Sequence, residues 1–149
     1  MRIVIQRVTR ASVSIEGRVE SAIEKGMMVL LGVGYADTDD DIDWLVKKTI
    51  NLRIFDDSEG VMNLSVKDVE GSILVVSQFT LMASCKKGNR PSYIHAASPD
   101  VSIPLYERFC QRLSESLGKP VFTGIFGADM QVELVNDGPV TIVIDSKDK

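Results

Sequence analysis

Histidine and cysteine are almost missing from this chain. It has one His, at position 95, and two Cys, at 85 and 110. A closed structural zinc site takes four such ligands, so no metal centre is expected. Two cysteines fit a reducing compartment better than a disulfide framework. Long apolar runs are also lacking: none approaches the ~20 residues that cross a bilayer as a helix. The opening MRIVIQRV is charged and alternating rather than a signal peptide. A cytoplasmic location and no membrane partner are therefore expected. Positive charge is in deficit, with a net charge of −4. That argues against bulk attraction to nucleic acid, and no DNA partner is expected. No internal repeat, low-complexity tract or linker is visible.

What is present is an ordinary globular balance, 44% hydrophobic and 26% charged over 149 residues. The length predicts a single domain, residues 1–149. Such a chain can bury roughly 68–70% of its unfolded surface without a disulfide or metal. Alternation predicts a strand over Arg2–Val8, and Ser12–Ile15 with Val19–Ile23 around Glu16-Gly17-Arg18 reads as a hairpin. The continuous apolar run Met27–Val33 fits a strand buried on both faces. Thr38 and the acids Asp39 to Asp41 cap a helix whose stripe is Ile42, Leu45, Val46, Thr49 and Ile50, with Trp44 at its edge. Leu52–Phe55 reads as a short strand, Asp56–Gly60 as a turn, and Ser72–Phe79 as a strand ending in SQFTL. A polar loop, Ala83–Asp100, is long enough to suspect of function. A second helix is expected from about Ser102, with Pro104 in its first turn, a stripe of Leu105, Phe109, Leu113 and Leu117, and Gly118 as its stop. Val121–Phe126, Met130–Val135 and Val140–Ile144 complete the strands. The pattern predicts an α+β fold: a curved mixed sheet or partly closed barrel with two main helices on one side.

Familiar catalytic sets come up short. A Cys85/His95 pair lacks a fixed orienting acid, and the bland reading of His95 is a surface residue. Gly32-Val33-Gly34 lacks the rest of a dinucleotide fingerprint, and no P-loop occurs, so no cofactor is expected. Asp56, Asp57 and Glu59 lack the order of a calcium loop. Lys86, Lys87 and Arg90 in SCKKGNRPS are either a solvated loop or a local basic patch. Ser77, Gln78 and Thr80 either satisfy local backbone groups or, with backbone N–H groups, face a substrate. The stretch VNDGPVTIVID poses its own question. A branched, apolar strand is entered through Gly138-Pro139, which strand interiors tolerate least. Asp137-Gly138 alone reads as a hairpin turn.

SQFTL, KKGNRPS and NDGPVT together resemble the D-aminoacyl-tRNA deacylase family. The likeness spans essentially the whole chain, including MRIVIQRVTRASV, NLRIFDD and FGADMQVELVNDGPVT. The resemblance implies a homodimer, without metal or cofactor, that hydrolyses the ester of D-aminoacyl-tRNA and of mischarged glycyl-tRNA. It implies that Gly138-Pro139 forms a cis peptide reaching into the partner's site, where main-chain carbonyls take the α-ammonium and leave no room for an L side chain. Arg7 matches an arginine that steadies that loop. Phe126 and Met130 match positions near the aminoacyl and adenosine pocket. Ser77, Gln78, Phe79 and Thr80 match the catalytic strand end, and Lys86, Lys87 and Arg90 become phosphate contacts. Met82-Ala83-Ser84-Cys85 departs from the family pattern of Ala or Tyr, then Ala, Asp and Thr, which bears on that loop's role. The implied chemistry places oxyanion donors near Phe79 and Thr80 and has the terminal ribose 2′-hydroxyl assist water. Thr80 as nucleophile would need a base that the sequence does not offer. Two rival readings are an RNA-binding module without activity and a cysteine hydrolase using Cys85 and His95. A third, an editing domain of the kind fused to threonyl-tRNA synthetases, is opposed by the chain's length and by Gly138-Pro139.

Overall fold

The computed structural model describes residues 1–149. Strand β1 (Arg2–Ile15) is the spine of the sheet. It runs antiparallel to β3 (Gly26–Gly32) over its first half and to β2 (Arg18–Ile23) over its second. The predicted strands Arg2–Val8 and Ser12–Ile15 are thus one element. Glu16 and Gly17, both at positive φ, make the tight turn into β2. Helix α1 (Asp39–Asn51) follows β3. A small ribbon, β4 (Phe55–Asp56) and β5 (Met62–Leu64), sits apart from the main sheet. Strand β6 (Ser72–Ser77) lies parallel to β3, helix α2 (Pro99–Leu117) crosses back, and β7 (Phe122–Thr123) pairs parallel to β6. The last strand, β8 (Gln131–Asp145), runs antiparallel along the other edge of β1.

The main sheet has the order β2-β1-β3-β6-β7, with β8 beside β1. Its two ends approach each other, since the Ser21 hydroxyl donates to the Thr123 carbonyl. The result is a nearly closed mixed sheet with two helices, an α+β fold. Met27, Val29 and Leu31 of β3 and Ile73 and Val75 of β6 face the helices and meet Leu45, Phe109 and Leu113. Their alternates, Met28, Leu74 and Val76, face a second core with Val8, Val13 and Ile23. The continuous apolar runs are explained by this double burial. β3 and β6 approach closely at Gly26, where a Cβ would fall 1.8 Å from the Ser72 carbonyl oxygen. Only glycine fits there.

Both helices form where their stripes predict, with one boundary moved. Thr38 caps α1, and Asp41 reaches back to accept from the Thr38 N–H at 2.8 Å. Helix α2 begins at Pro99 rather than near Ser102, because Pro99 occupies its first position and Ser98 its N-cap. Pro104 therefore lies inside the helix, not in its first turn. Gly118, at φ +84°, ends it as expected.

Four strand readings need correction. Leu52–Phe55 contributes only Phe55, since β4 is Phe55–Asp56. Ser72–Phe79 stops at Ser77, and Phe79–Met82 is a 3-10 turn. Val121–Phe126 shrinks to Phe122–Thr123. Most consequentially, Met130–Val135 and Val140–Ile144 are not a hairpin. They are parts of one strand, β8, so Asp137-Gly138 turns no corner between strands. Gln6 pairs Thr141 and Val8 pairs Asn136, so residues 137–140 oppose Arg7 alone. This is an enlarged bulge, which lets a glycine and a proline leave the ladder without ending it.

Candidate active site

The strand end and the 3-10 turn build the first part of the site. The Gln78 N–H donates to the Leu31 carbonyl at 2.8 Å, which ties the turn to the end of β3. The first bonds of the turn run from the Leu81 N–H to Gln78 and from the Ala83 N–H to Thr80, at 3.2 and 3.1 Å. The N–H groups of Phe79 and Thr80 precede them, where a helical turn leaves its donors unpaired within itself. The Gln78 side-chain amide donates to the Thr80 hydroxyl. Phe79 is exposed and stands edge-on to Tyr93, ring centroids 5.0 Å apart.

Two cavities flank this turn. One, about 300 Å³, is lined by Ser77, Gln78 and Phe79 together with Tyr93, Tyr106 and Phe126. The other, about 260 Å³, lies between the same turn and Phe126 to Met130. The structure thus brings Ser77, Gln78, Phe79, Phe126 and Met130 together, with Thr80 exposed at the turn's edge. No Asp, Glu, His, Lys or Arg lines the first cavity, and Asp129 is the one such residue of the second. The Tyr106 hydroxyl donates to the Val75 carbonyl at 3.1 Å, and burial pushes its pKa well above the ordinary phenol value. It is a fixed neutral donor rather than a base. Burial likewise pushes the Cys110 thiol up to about 12. No group of three His, Cys, Asp or Glu side chains gathers as a metal set.

The bulge at Gly138-Pro139 is the second feature. Its peptide bond is cis, Gly138 has φ +121°, and both residues are exposed. Arg7, expected on a strand, is buried beneath it. Its guanidinium donates to the carbonyls of Asp137 at 3.2 Å and Ile54 at 2.7 Å and pairs with the Asp137 and Asp56 carboxylates. A buried charge needs such a full set of partners. Asn136 closes the bulge's neck, donating to the carbonyls of Arg7 and Val140 at 3.0 Å each. Neither cavity beside the 3-10 turn is lined by Gly138 or Pro139. Within one chain the bulge and the turn are separate, on opposite sides of β1.

Lys86, Lys87 and Arg90 are exposed on the loop after the turn, around Gly88 at φ +74°. They line neither small cavity. Cys85 and His95 line one larger cavity of about 710 Å³, but no hydrogen bond joins them. The sequence reading missed Tyr93 and Tyr106. Tyr106 was within reach, because Ser102, Leu105, Tyr106 and Phe109 continue one helical face. Nothing local marks Tyr93, which the loop brings back over Phe79.

Known proteins supply the frame for this geometry. The family model described as D-Tyr-tRNA(Tyr) deacylase matches residues 4–145. A D-aminoacyl-tRNA deacylase of Bacteroides fragilis (strain YCH46) is 67% identical, the match covering 100% of this chain and 99% of that one. One of Flavobacterium johnsoniae is 61% identical with the same coverage. A solved structure of a c-Myc DNA unwinding element binding protein superposes with a TM-score of 0.93 at 42% identity, covering 97% of this chain and 98% of that one. These likenesses make the chain an enzyme of the deacylase class, a hydrolase. Within that class it belongs to the D-Tyr-tRNA(Tyr) deacylase family.

Proposed function

We propose that this deacylase cleaves the ester of D-aminoacyl-tRNA, and of mischarged glycyl-tRNA, in the cytoplasm. It does so as a homodimer in which the bulge of each subunit completes the site of the other. Ser77 to Thr80 hold the scissile carbonyl, and the Phe79 and Thr80 N–H groups receive the developing oxyanion. One such donor is worth about 10²–10³ in rate. Phe126 and Met130 shape the aminoacyl and adenosine pocket. The partner's Gly138-Pro139 main chain, steadied by Arg7, takes the α-ammonium and excludes an L side chain. Glycine has no side chain to exclude. Lys86, Lys87 and Arg90 contact tRNA phosphates.

The observation that carries the mechanism is the lining of the larger of the two cavities beside the turn, which holds no carboxylate or imidazole, while the smaller one offers Asp129 alone. The substrate's free ribose 2′-hydroxyl, rather than Asp129, then assists water. Under this route Thr80→Ala and Asp129→Asn each keep most of the activity. Loss in Thr80→Ala with retention in Thr80→Ser would make Thr80 the nucleophile. Loss in Asp129→Asn would make Asp129 the base.

The central experiment is deacylation of matched D- and L-aminoacyl-tRNAs by wild type and Gly138→Ala. Wild type should cleave only the D substrate. Gly138→Ala should lose activity, since a Cβ there lies 2.9 Å from the Arg7 guanidinium and 3.1 Å from Val140. Equal cleavage of both substrates by wild type would overturn the reading.

A further inference from the structure

A third cavity is larger than the two beside Ser77 and Phe79. It measures about 710 Å³ and begins where the 3-10 turn ends, at Met82 and Ser84. Its other walls include Tyr35, Lys86, Ile94 and His95. We infer that this cavity is a subsite for the single-stranded nucleotides preceding the terminal adenosine of the substrate, with a base stacked on Tyr35 and its phosphate beside Lys86. The inference rests on the deacylase reading above and extends it along the strand.

Tyr35 is a large ring left in the open. It is 58% exposed and packs against no other aromatic ring of the chain. It is nevertheless held on a fixed turn. The Asp37 N–H donates to the Gly34 carbonyl at 3.2 Å, and the Gly34 N–H donates to the Asp37 carboxylate at 2.6 Å. That carboxylate is itself fixed by the Met1 ammonium and by Lys147. Gly34 also bridges to Ala96, which sets the segment bearing Ile94 and His95 beside the same turn. Ile94 is 74% exposed. An exposed apolar wall on a rigid frame is prepared for a flat partner.

The charge of the cavity is selective. Arg2 is matched by Asp145, and Lys147 by Asp37 and Asp41. Lys86 is in no ion pair, and neither are Lys87 and Arg90 further along its loop. The surplus at this rim is therefore positive on a chain whose net charge is −4. Aromatic platforms beside unpaired cations are what single-stranded nucleic acid recognises. A duplex would instead need a broad basic face. The cavity also continues directly from the turn that holds the reacting ester.

The test compares a D-aminoacyl-CCA trinucleotide with 3′-(D-aminoacyl)-adenosine, for wild type, Tyr35→Phe and Tyr35→Ala. Tyr35→Ala should raise KM for the trinucleotide roughly 5- to 140-fold, the cost of one lost stack, with kcat kept. Its turnover of the adenosine substrate should match wild type, which also reports that it folds. Tyr35→Phe should behave as wild type on both. Equal loss on both substrates would assign Tyr35 to the reaction centre or the fold and overturn the subsite. So would no loss on either, which leaves the wall to another occupant such as a second copy of this chain. Wild type cleaving neither substrate nor D-aminoacyl-tRNA would sink the deacylase reading itself.

Discussion

Phe79 offers two separable groups, a ring and a backbone N–H. The ring stands against Tyr93, while the N–H opens the 3-10 turn. The residue before it, Gln78, has φ −145° and ψ 80°, outside the helical region that a following proline disfavours. A proline at 79 is thus compatible with its neighbour and with the first position of a helical turn. Phe79→Pro removes the donor, and Phe79→Ala removes only the ring. If the N–H stabilises the oxyanion, kcat of Phe79→Pro should fall about 10²–10³ below that of Phe79→Ala. Single-turnover rates would settle it, with circular dichroism confirming that both variants fold. Equal rates would move the oxyanion donor elsewhere.

Helix α1 shows how an element is held at the acid end of its range. The Asp41 carboxylate accepts from the Thr38 N–H and from Lys147, each at 2.8 Å. Burial alone would raise its pKa, but hydrogen bonds from Lys147, Ser146 and Thr38 outweigh it and hold the carboxyl well below the usual carboxylate range. A depressed folded-state pKa stabilises the fold above the unfolded value, about 3.9. That stability is lost as pH falls from there through the folded value. Asp41→Asn should therefore be less stable than wild type at pH 7, by about 1 kcal/mol for the carboxylate at the helix N-terminus alone. The gap should narrow once pH drops below about 4. Urea denaturation at neutral and acid pH measures it, and a gap independent of pH would remove ionisation from the account.

The whole molecule raises the question of whether two separated features act as one site. The bulge lies across β1 from β3, and the 3-10 turn follows β6 on the far side of β3. Within one chain the sheet holds them on opposite sides of β1, so a shared site would draw on two chains. Mixed dimers test this directly. Gly138→Ala subunits mixed with inactive Phe79→Pro subunits should recover about a quarter of wild-type activity, because half the dimers then hold one intact site. No recovery after unfolding and refolding the mixture would place both parts of each site within one subunit.

Local chemistry settled a good deal from the sequence alone. The helical stripes, the Thr38 and Gly118 caps, the doubly buried run at Met27 and the α+β class all follow from short-range periodicity and backbone preference. The motifs SQFTL and NDGPVT pointed to the two segments that fold as a 3-10 turn and as a bulge with a cis peptide. Tertiary structure decided the rest, because strand continuity depends on what lies alongside. Arg2–Val8 and Ser12–Ile15 fuse because β8 pairs with β1 along both. Gly138 and Pro139 sit within a strand because Arg7 and Asn136, about 130 residues apart in the chain, satisfy the carbonyls that the bulge frees. Tyr93 meets Phe79 only because a loop returns. Hydrogen-bond partners and cavity walls drawn from distant segments leave no trace in local pattern, so only the folded chain shows them.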